Sequence, residues 1–240
     1  VDANDKTGTI VTYVVEDTIE GWADSVEALL NCYFKNTPYT GRKVVFDYSR
    51  IRKKGEPLKT GGGKAPGYKG LKSAHQKIKE LLDYAIEEMY QTRLSSVDAY
   101  DILMHCSDAV LSGGVRRSAT CTIFEKDDYD MMDSKTYQSV KTVFTFHKNA
   151  NNMYEGRINY KGKKLDVTLE EWEVKKLENE KKINWWHVEP QRARSNNSIL
   201  LLRNATTLEE FSKIVERTKQ FGEPGFVWAD HPWTLFNPCF

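Results

Sequence analysis

The chain has 240 residues, 40% of them hydrophobic, which is enough to bury one large core or two small ones. Its formal net charge of +1, with 29% charged residues, excludes a general polyanion-binding protein, so no direct nucleic-acid partner is expected. No apolar run reaches the roughly 18 residues needed to span a bilayer, so no membrane partner is expected either.

Strand and helix patterns alternate through the first half of the chain. Runs of β-branched residues predict strands, and apolar residues at helical spacing predict helices. The predicted elements are a strand at 9–16, a helix whose capping residues are Asp17 and Glu20, a strand at 43–47, a glycine- and lysine-rich loop at 48–70, a helix at 71–89, and a helix capped by Ser95 and Asp98 that ends at Gly113.

The second half resumes this alternation after a segment of different character. Residues 125–188 are dense in charge, and they contain a candidate strand pair around 144–160 and a candidate helix around 169–177. The other predicted elements are a strand at 120–124, a strand from Ile199, a helix capped by Thr207 and Glu210 that ends at Gly222, and a strand at 226–228. Strands that alternate with helices predict an α/β fold with parallel strands, here interrupted by an inserted subdomain.

The cysteines form neither a metal-binding nor a disulfide pattern. They are widely spaced, without a CxxC pair, at Cys32, Cys106, Cys121 and Cys239. We therefore predict no metal site and no secreted disulfide framework, and we expect a cytoplasmic protein. The first three lie in predicted helices or strands and are interpreted as structural. Cys239 follows Asn237 and Pro238, and by itself it too would be interpreted as a small buried hydrophobe.

Three segments outside the cysteines have the composition of ligand-binding loops. Residues 50–64 combine cationic side chains, among them Arg52 and Lys59, with glycines that suit phosphate binding; a solvated basic loop is the alternative. Residues 113–119 place two arginines after two glycines, as a base- or phosphate-binding turn or as an ordinary helix end. Residues 192–198 place polar side chains before a predicted strand, as a ligand site or as a common turn.

Taken together and in order, these segments resemble the large catalytic chain of ribonucleotide reductases, most closely the adenosylcobalamin-dependent (class II) ribonucleoside-triphosphate reductases. The resemblance covers residues 10–124 and 190–240. It is carried by the residues VVED and EGWA within 14–23, FDYSRIR at 46–52, GEPLKT at 55–60, GVRRSA at 114–119, NNS at 196–198, GEPG at 222–225, and NPC at 237–239.

The resemblance implies the front half of the ten-stranded α/β barrel of ribonucleotide reductases, with an inserted subdomain. The implied organisation is a first part of the barrel with effector loops at 1–124, an insertion of unknown role at 125–188, and a continuation of the barrel at 189–240 that ends in the active-site cysteine loop. Both ends appear cut, so we expect a fragment: one piece of a split enzyme, the part before an intein, or a truncated reading.

The resemblance also assigns roles to residues. Cys239 would carry the thiyl radical that starts ribonucleotide reduction, formed with adenosylcobalamin, whose contacts are not identifiable in this chain, and Asn237 would bind the substrate ribose. The substrate would also contact Asn196, Asn197 and Ser198. The implied effector and specificity loops contain Asp17, Arg52, Lys59, Gly114, Arg116, Arg117 and Ser118.

The implied partners follow from the same family. They are a ribonucleoside triphosphate substrate, a deoxynucleotide effector, a thioredoxin-type reductant and, if the enzyme is split, the missing C-terminal half as a separate chain. The family's catalytic glutamate would lie beyond Phe240, and its redox cysteine pair is not evident, so we expect the fragment to be inactive alone. A diphosphate substrate and either oligomeric state stay open.

Two alternatives remain at the level of the sequence. One is a class I reductase chain, which draws its radical from a separate metal-containing subunit. The other is a nucleotide-binding regulatory fragment that keeps the effector loop without catalysis.

Overall fold

A computed structural model describes residues 9–58, 63–110 and 120–237. The chain divides into two compact units, residues 1–118 and 119–240. Each unit contains a parallel sheet, as predicted, and each has its own apolar core. No helix among the described residues is long and apolar enough to cross a membrane.

The first unit is built from two strands and three helices. Its elements are β1 (Ile10–Val14), α1 (Ile19–Asn31), β2 (Lys43–Asp47), α2 (Lys69–Glu87) and α3 (Ser96–Ala109). Strands β1 and β2 pair in parallel, with Val14 opposite Asp47. The helices pack through two clusters of buried side chains, Val15, Ile51, Leu71, Ala74 and Ala109 in one, and Leu29, Ile78, Leu82 and Ile102 in the other.

The caps of two helices in this unit were predicted with different success. The capping box of α3 is confirmed, because Ser95 Oγ accepts from the amide of Asp98 at 3.1 Å and the Asp98 carboxylate accepts from the amide of Ser95 at 3.0 Å. The predicted cap of α1 was wrong. Its N-cap is Thr18, whose Oγ1 accepts from Gly21 N at 2.9 Å, and Asp17 is therefore left available for another partner.

A buried histidine joins α1, α2 and the end of β2. Ser25 Oγ donates its single proton to the carbonyl of Trp22 at 2.7 Å, so it accepts from His75 Nε2, 3.0 Å away. His75 Nδ1 then accepts from the hydroxyl of Tyr48 at 2.8 Å, and the ring stacks on Phe46 at 4.0 Å. Burial lowers the pKa of His75 to about 4, which makes it a neutral ring at pH 7.

The second unit contains a longer series of short elements. They are β3 (Thr120–Glu125), α4 (Tyr129–Asp133), β4 (Tyr137–Ser139), β5 (Thr142–Val143), β6 (His147–Lys148), β7 (Tyr154–Tyr160), β8 (Lys163–Leu169), α5 (Glu171–Glu180), β9 (Lys182–Asn184), α6 (Trp185–Val188), a 3₁₀ helix (Pro190–Arg194), β10 (Ser195–Leu202), α7 (Leu208–Phe221) and β11 (Gly225–Ala229).

Strand β10 is the centre of a three-stranded parallel sheet. Its neighbours are β3 on one side and β11 on the other. It begins at Ser195, whereas the sequence predicted a strand from Ile199, so the polar residues before Ile199 lie inside the strand. Helix α7 connects β10 to β11, with the predicted capping box of Thr207 and Glu210 and a left-handed Gly222 at its end.

Residues 126–194, between β3 and β10, fold around a core of their own. Strands β5 and β6 pair antiparallel with β7, as does β8. The core consists of Val140, Ile158, Tyr160, Val167, Leu169, Val174, Leu177, Ile183 and Val188.

The predicted strand pair at 144–160 corresponds to the pairing of β6 with β7, whereas the longer hairpin that follows it was not predicted. The main hairpin joins β7 to β8 through Lys161 and Gly162, which have φ values of 46° and 75°. Two consecutive residues with positive φ make a type I′ turn, for which Asn-Gly is the usual sequence signal. Lys-Gly gives a weaker signal, and for that reason the turn was missed.

We predict that His75 makes the first unit less stable in mild acid. Because its folded pKa of about 4 lies below the ordinary 6.5, the stability it contributes is complete above pH 6.5 and is lost as the pH falls towards 4. The loss is on the order of 3 kcal/mol. Hydrogen exchange of α2 peptides, corrected for intrinsic rates, should show the wild-type advantage over His75→Gln shrinking over this range. A pH-independent difference would contradict the prediction.

Candidate functional site

Two of the predicted effector residues form a direct contact in the first unit. Asp17 follows β1 and Arg52 follows β2, and the carboxyl ends of these parallel strands lie at one edge. Arg52 Nε donates to Asp17 Oδ2 at 2.6 Å, and its Nη1 donates to the carbonyl of Pro57 at 3.2 Å. The strand edge at which α/β folds bind ligands therefore carries an ion pair between the two motifs.

Glycine at position 21 allows the start of α1 to approach the end of β1. A Cβ atom on Gly21 would lie 2.7 Å from the Cβ of Glu16 and 2.8 Å from its carbonyl oxygen, closer than van der Waals contact allows. Glu16 itself forms an ion pair with Arg50, with both side chains more than half exposed. The glycine of the EGWA motif thus has a packing role beside Asp17.

Two described segments of the basic loop pair with each other. Pro57 and Lys64 form an antiparallel bridge, and the amide of Leu58 donates to the carbonyl of Gly63 at 2.9 Å. Lys59 lies outside the described residues, as do Gly114, Arg116, Arg117 and Ser118. Their assignment to the effector loops stays a prediction.

The three predicted substrate residues are divided between the faces of β10. Side chains of a strand alternate, so Asn196 and Ser198 point to one face while Asn197 points to the other. Asn196 is exposed and Ser198 half-buried, whereas Asn197 is 2% exposed. Only Asn196 and Ser198 can contact the same ligand directly.

The face with Asn196 and Ser198, here called the open face, is partly accessible along its length. Register places Cys121 of β3 beside Asn196, and Gly225 of β11 beside Ser198. A Cβ on Gly225 would lie 3.3 Å from Ser198 Oγ, so the glycine of the GEPG motif leaves room around that hydroxyl. The opposite face is closed, with Ser195, Asn197, Ile199 and Leu201 each 2% exposed or less.

The closed face contains residues that the sequence did not single out. Asn197 Nδ2 donates to Ser134 Oγ at 3.2 Å, while Asn197 Oδ1 is buried without a hydrogen-bond partner. Ser134 and its neighbour Lys135 are both buried. Lysines in a charge-dense segment are usually interpreted as surface residues, so no sequence signal distinguished Lys135 from the others.

The described part of the predicted active-site loop follows β11. Asn237 is exposed, and Cys239 lies outside the described residues. Burial raises the pKa of the Cys106 thiol to about 11 and also raises that of Cys32, which keeps both protonated at neutral pH. Within the described residues, no group of three or more His, Cys, Asp or Glu side chains is arranged to hold a metal ion.

Comparison with known proteins shows which proteins this fold and these motifs resemble. A family model described as the insertion domain of B12-dependent ribonucleotide reductase matches residues 2–82. In structure the chain is similar to a B12-dependent (class II) ribonucleotide reductase, with a TM-score of 0.58 and 24% identity, over 95% of this chain and 23% of that one. This likeness confirms the predicted fold class.

The similar sequences are reductases of one kind. A probable adenosylcobalamin-dependent ribonucleoside-triphosphate reductase of Dictyostelium discoideum is 29% identical over 91% of this chain and 21% of its own length. For the adenosylcobalamin-dependent enzyme of Euglena gracilis the identity is 28%, over 96% of this chain and 24% of the relative. That of Lactobacillus leichmannii is 34% identical over 53% of this chain and 17% of the relative.

The chain is thus similar to B12-dependent ribonucleotide reductases, the family that its motifs predicted. It spans less than a quarter of the length of the relatives described above. The family model applies the term insertion domain to residues 2–82, whereas the sequence analysis applied it to 125–188. The division at 124 and 188 stays a prediction.

We predict that the pair between Arg52 and Asp17 stabilises the loop that follows β2. Arg52→Ala removes a half-buried charge-assisted bond and should destabilise residues 48–58 by about 1 kcal/mol. Arg50→Ala, the matched control, removes a pair with side chains 60% and 52% exposed and should change stability by less than about 0.5 kcal/mol. Hydrogen exchange of peptides from this loop measures both. Equal effects of the two substitutions would show that the pair between Arg52 and Asp17 does not stabilise the loop more than an exposed ion pair does.

Proposed function

We propose that the chain is a segment of the catalytic chain of an adenosylcobalamin-dependent ribonucleoside-triphosphate reductase, an enzyme that reduces ribonucleotides to 2′-deoxyribonucleotides. The observation that carries the proposal is a likeness to such an enzyme that runs through 91% of the chain and so includes both units. The names of these relatives favour the cobalamin-dependent class over a class I reductase.

The effector site is proposed at the edge of the first unit where Asp17 and Arg52 meet. A deoxynucleotide brings phosphate groups, which guanidinium and ammonium groups bind well. Arg52 is held by Asp17 and by the carbonyl of Pro57, so its position is fixed before any ligand arrives. Lys59 and the segment 114–118 are proposed as the remaining parts of this specificity system.

The substrate site is proposed on the open face of the second unit. Asn196 and Ser198 present an amide and a hydroxyl that can donate to or accept from a ribonucleoside triphosphate. Cys239 is proposed as the radical-bearing thiol and Asn237 as its ribose-binding neighbour. In that role the Cys239 sulfur takes a hydrogen atom from the substrate ribose.

Adenosylcobalamin would supply the radical chemistry, while the protein would supply position and exclusion of water. Among the described residues, no side chains are recognisable as a corrin-binding set, so no step is assigned to the cofactor's contacts. The proposed partners are a thioredoxin-type reductant and the remainder of the enzyme, within one polypeptide or as a separate chain, and the proposed compartment is the cytoplasm.

Removal of the Cys239 thiol tests the catalytic proposal. In the complete polypeptide that contains this chain, Cys239→Ala should reduce cobalamin-dependent formation of deoxynucleotide to the uncatalysed background, because it removes the thiol proposed to carry the radical. Cys106→Ala is the matched control and should retain most activity, since Cys106 packs within the first unit. Activity in Cys239→Ala would refute the assignment.

Nucleotide binding tests the effector site separately. Arg52→Ala should weaken deoxynucleotide binding on the order of tenfold, about 1.4 kcal/mol, because one charge-assisted contact is lost. Arg50→Ala should change it less than twofold. Equilibrium dialysis with labelled deoxynucleotide measures both affinities, and undiminished binding by Arg52→Ala would exclude Arg52 from the site. Binding that persists without any reduction in the complete polypeptide would favour a regulatory fragment.

A further inference from the structure

A buried lysine connects residues 126–194 to the sheet that carries the proposed substrate residues. Lys135 lies between α4 and β4, with only 4% of its surface exposed. Fully buried lysines are rare, and they require partners for their charge. The contacts of Lys135 therefore indicate what its burial achieves.

Those contacts join the beginnings of two strands. Lys135 Nζ donates to the carbonyl of Ser195, the first residue of β10, and lies 2.7 Å from Glu223 Oε2, just before β11. The ammonium also lies over the ring of Trp185, 5.5 Å from its centroid. One side chain thus holds the start of β10 next to the turn that leads into β11.

The residues on either side strengthen this connection. Ser134 accepts from Asn197 Nδ2 at 3.2 Å, and its carbonyl accepts from the guanidinium of Arg192. Arg192 is 1% exposed and lies 3.8 Å from the carboxylate of Glu189, which also accepts from Lys161. Although burial alone would raise the pKa of Glu189, Lys161 and Arg192 outweigh it, so the pKa is lowered and the group is charged.

These contacts lie at the start of β10 and on its closed face, and they determine which side chains of the strand reach the open face. Residues of β10 alternate between its faces, and a slip by one residue would exchange them. Asn197 is held on the closed side by its side-chain hydrogen bond to Ser134, and Lys135 fixes the backbone carbonyl of Ser195 at the start of the strand. Asn196 and Ser198 are thereby kept on the open side.

We propose that Lys135 is a positioning residue for substrate binding, which acts by fixing the first half of β10 so that Asn196 and Ser198 face the substrate. Asn197, in this arrangement, belongs to the positioning contacts and not to the substrate contacts. The inference gives residues 126–194 a role in the reaction, and it rests on the substrate site proposed above.

The test compares two lysines that connect this segment to the rest of the second unit. In the complete polypeptide, Lys135→Met should raise the KM for the ribonucleoside triphosphate about tenfold and leave kcat within twofold. Hydrogen exchange in peptides of β10 should become at least tenfold faster. Lys126→Met is the matched control, because Lys126 forms an ion pair with Glu210 of α7 that is more than one-third exposed. It should change all three quantities less than twofold.

Two further variants separate positioning from general stability. Lys135→Arg keeps a donor and a charge, so it should restore KM to within threefold of the wild type. Ile158→Val removes a methyl group from the core of residues 126–194 and should lower Tm without raising KM. An unchanged KM and unchanged exchange in Lys135→Met, or a similar KM rise in Ile158→Val, would overturn the proposal.

If Lys135→Met does not fold, Glu223→Gln decides by the same measurements. It removes the ion pair and keeps the bond to Ser195, so a KM rise of about threefold supports the proposal and no change in KM or exchange refutes it. If the wild-type polypeptide has no reductase activity, the proposed function fails, but the exchange comparison of Lys135→Met with Lys126→Met still decides whether Lys135 fixes β10.

Discussion

Parallel pairing of strands is the constraint on which the rest of both units depends. Two strands that run in the same direction cannot be joined by a tight turn, so each pair requires a long crossover. In the first unit α1 lies in the crossover from β1 to β2, and in the second α7 connects β10 to β11. The crossover from β3 to β10 is residues 126–194, which form a folded body in place of a single helix.

The same constraint determines where the predicted site residues meet. Parallel strands place their carboxyl ends together, which brings Asp17 into contact with Arg52 although the two are far apart in sequence. Along a single strand the opposite holds, because neighbours such as Asn196 and Asn197 are separated by the sheet itself. Residues far apart in sequence can therefore be in contact in this chain, and neighbours in sequence can lie on opposite sides of a sheet.

Buried ionisable groups are accommodated in two ways. His75 is buried and stays neutral, with hydrogen bonds to the hydroxyls of Ser25 and Tyr48. Glu189, Arg192 and Lys135 are buried as charges, each with opposite charges or carbonyl groups nearby. The first arrangement suits a packed core, and the second suits a junction where segments must be held in one orientation.

Local signals made much of the fold predictable. Ser95 and Thr207 were identified as caps because a capping box lies within four consecutive residues, and β2 was identified because its three central residues are β-branched or aromatic. Asp17 was wrongly assigned as the cap of α1, because its partner in the structure, Arg52, is remote in sequence. The role of Lys135 depends on contacts with Ser195 and Glu223 that no local pattern encodes.

The backbone and the side chain of Lys161 favour different residues at this position. Its backbone is left-handed, a conformation that asparagine or glycine adopts at lower cost. The ammonium group of Lys161, however, is 2.7 Å from the buried carboxylate of Glu189. An asparagine or a glycine at this position could not neutralise that carboxylate. A substitution at Lys161 that favoured the turn would therefore remove an ion pair of Glu189. The stability of the hairpin and that of the buried charge cluster are thus coupled through this one residue.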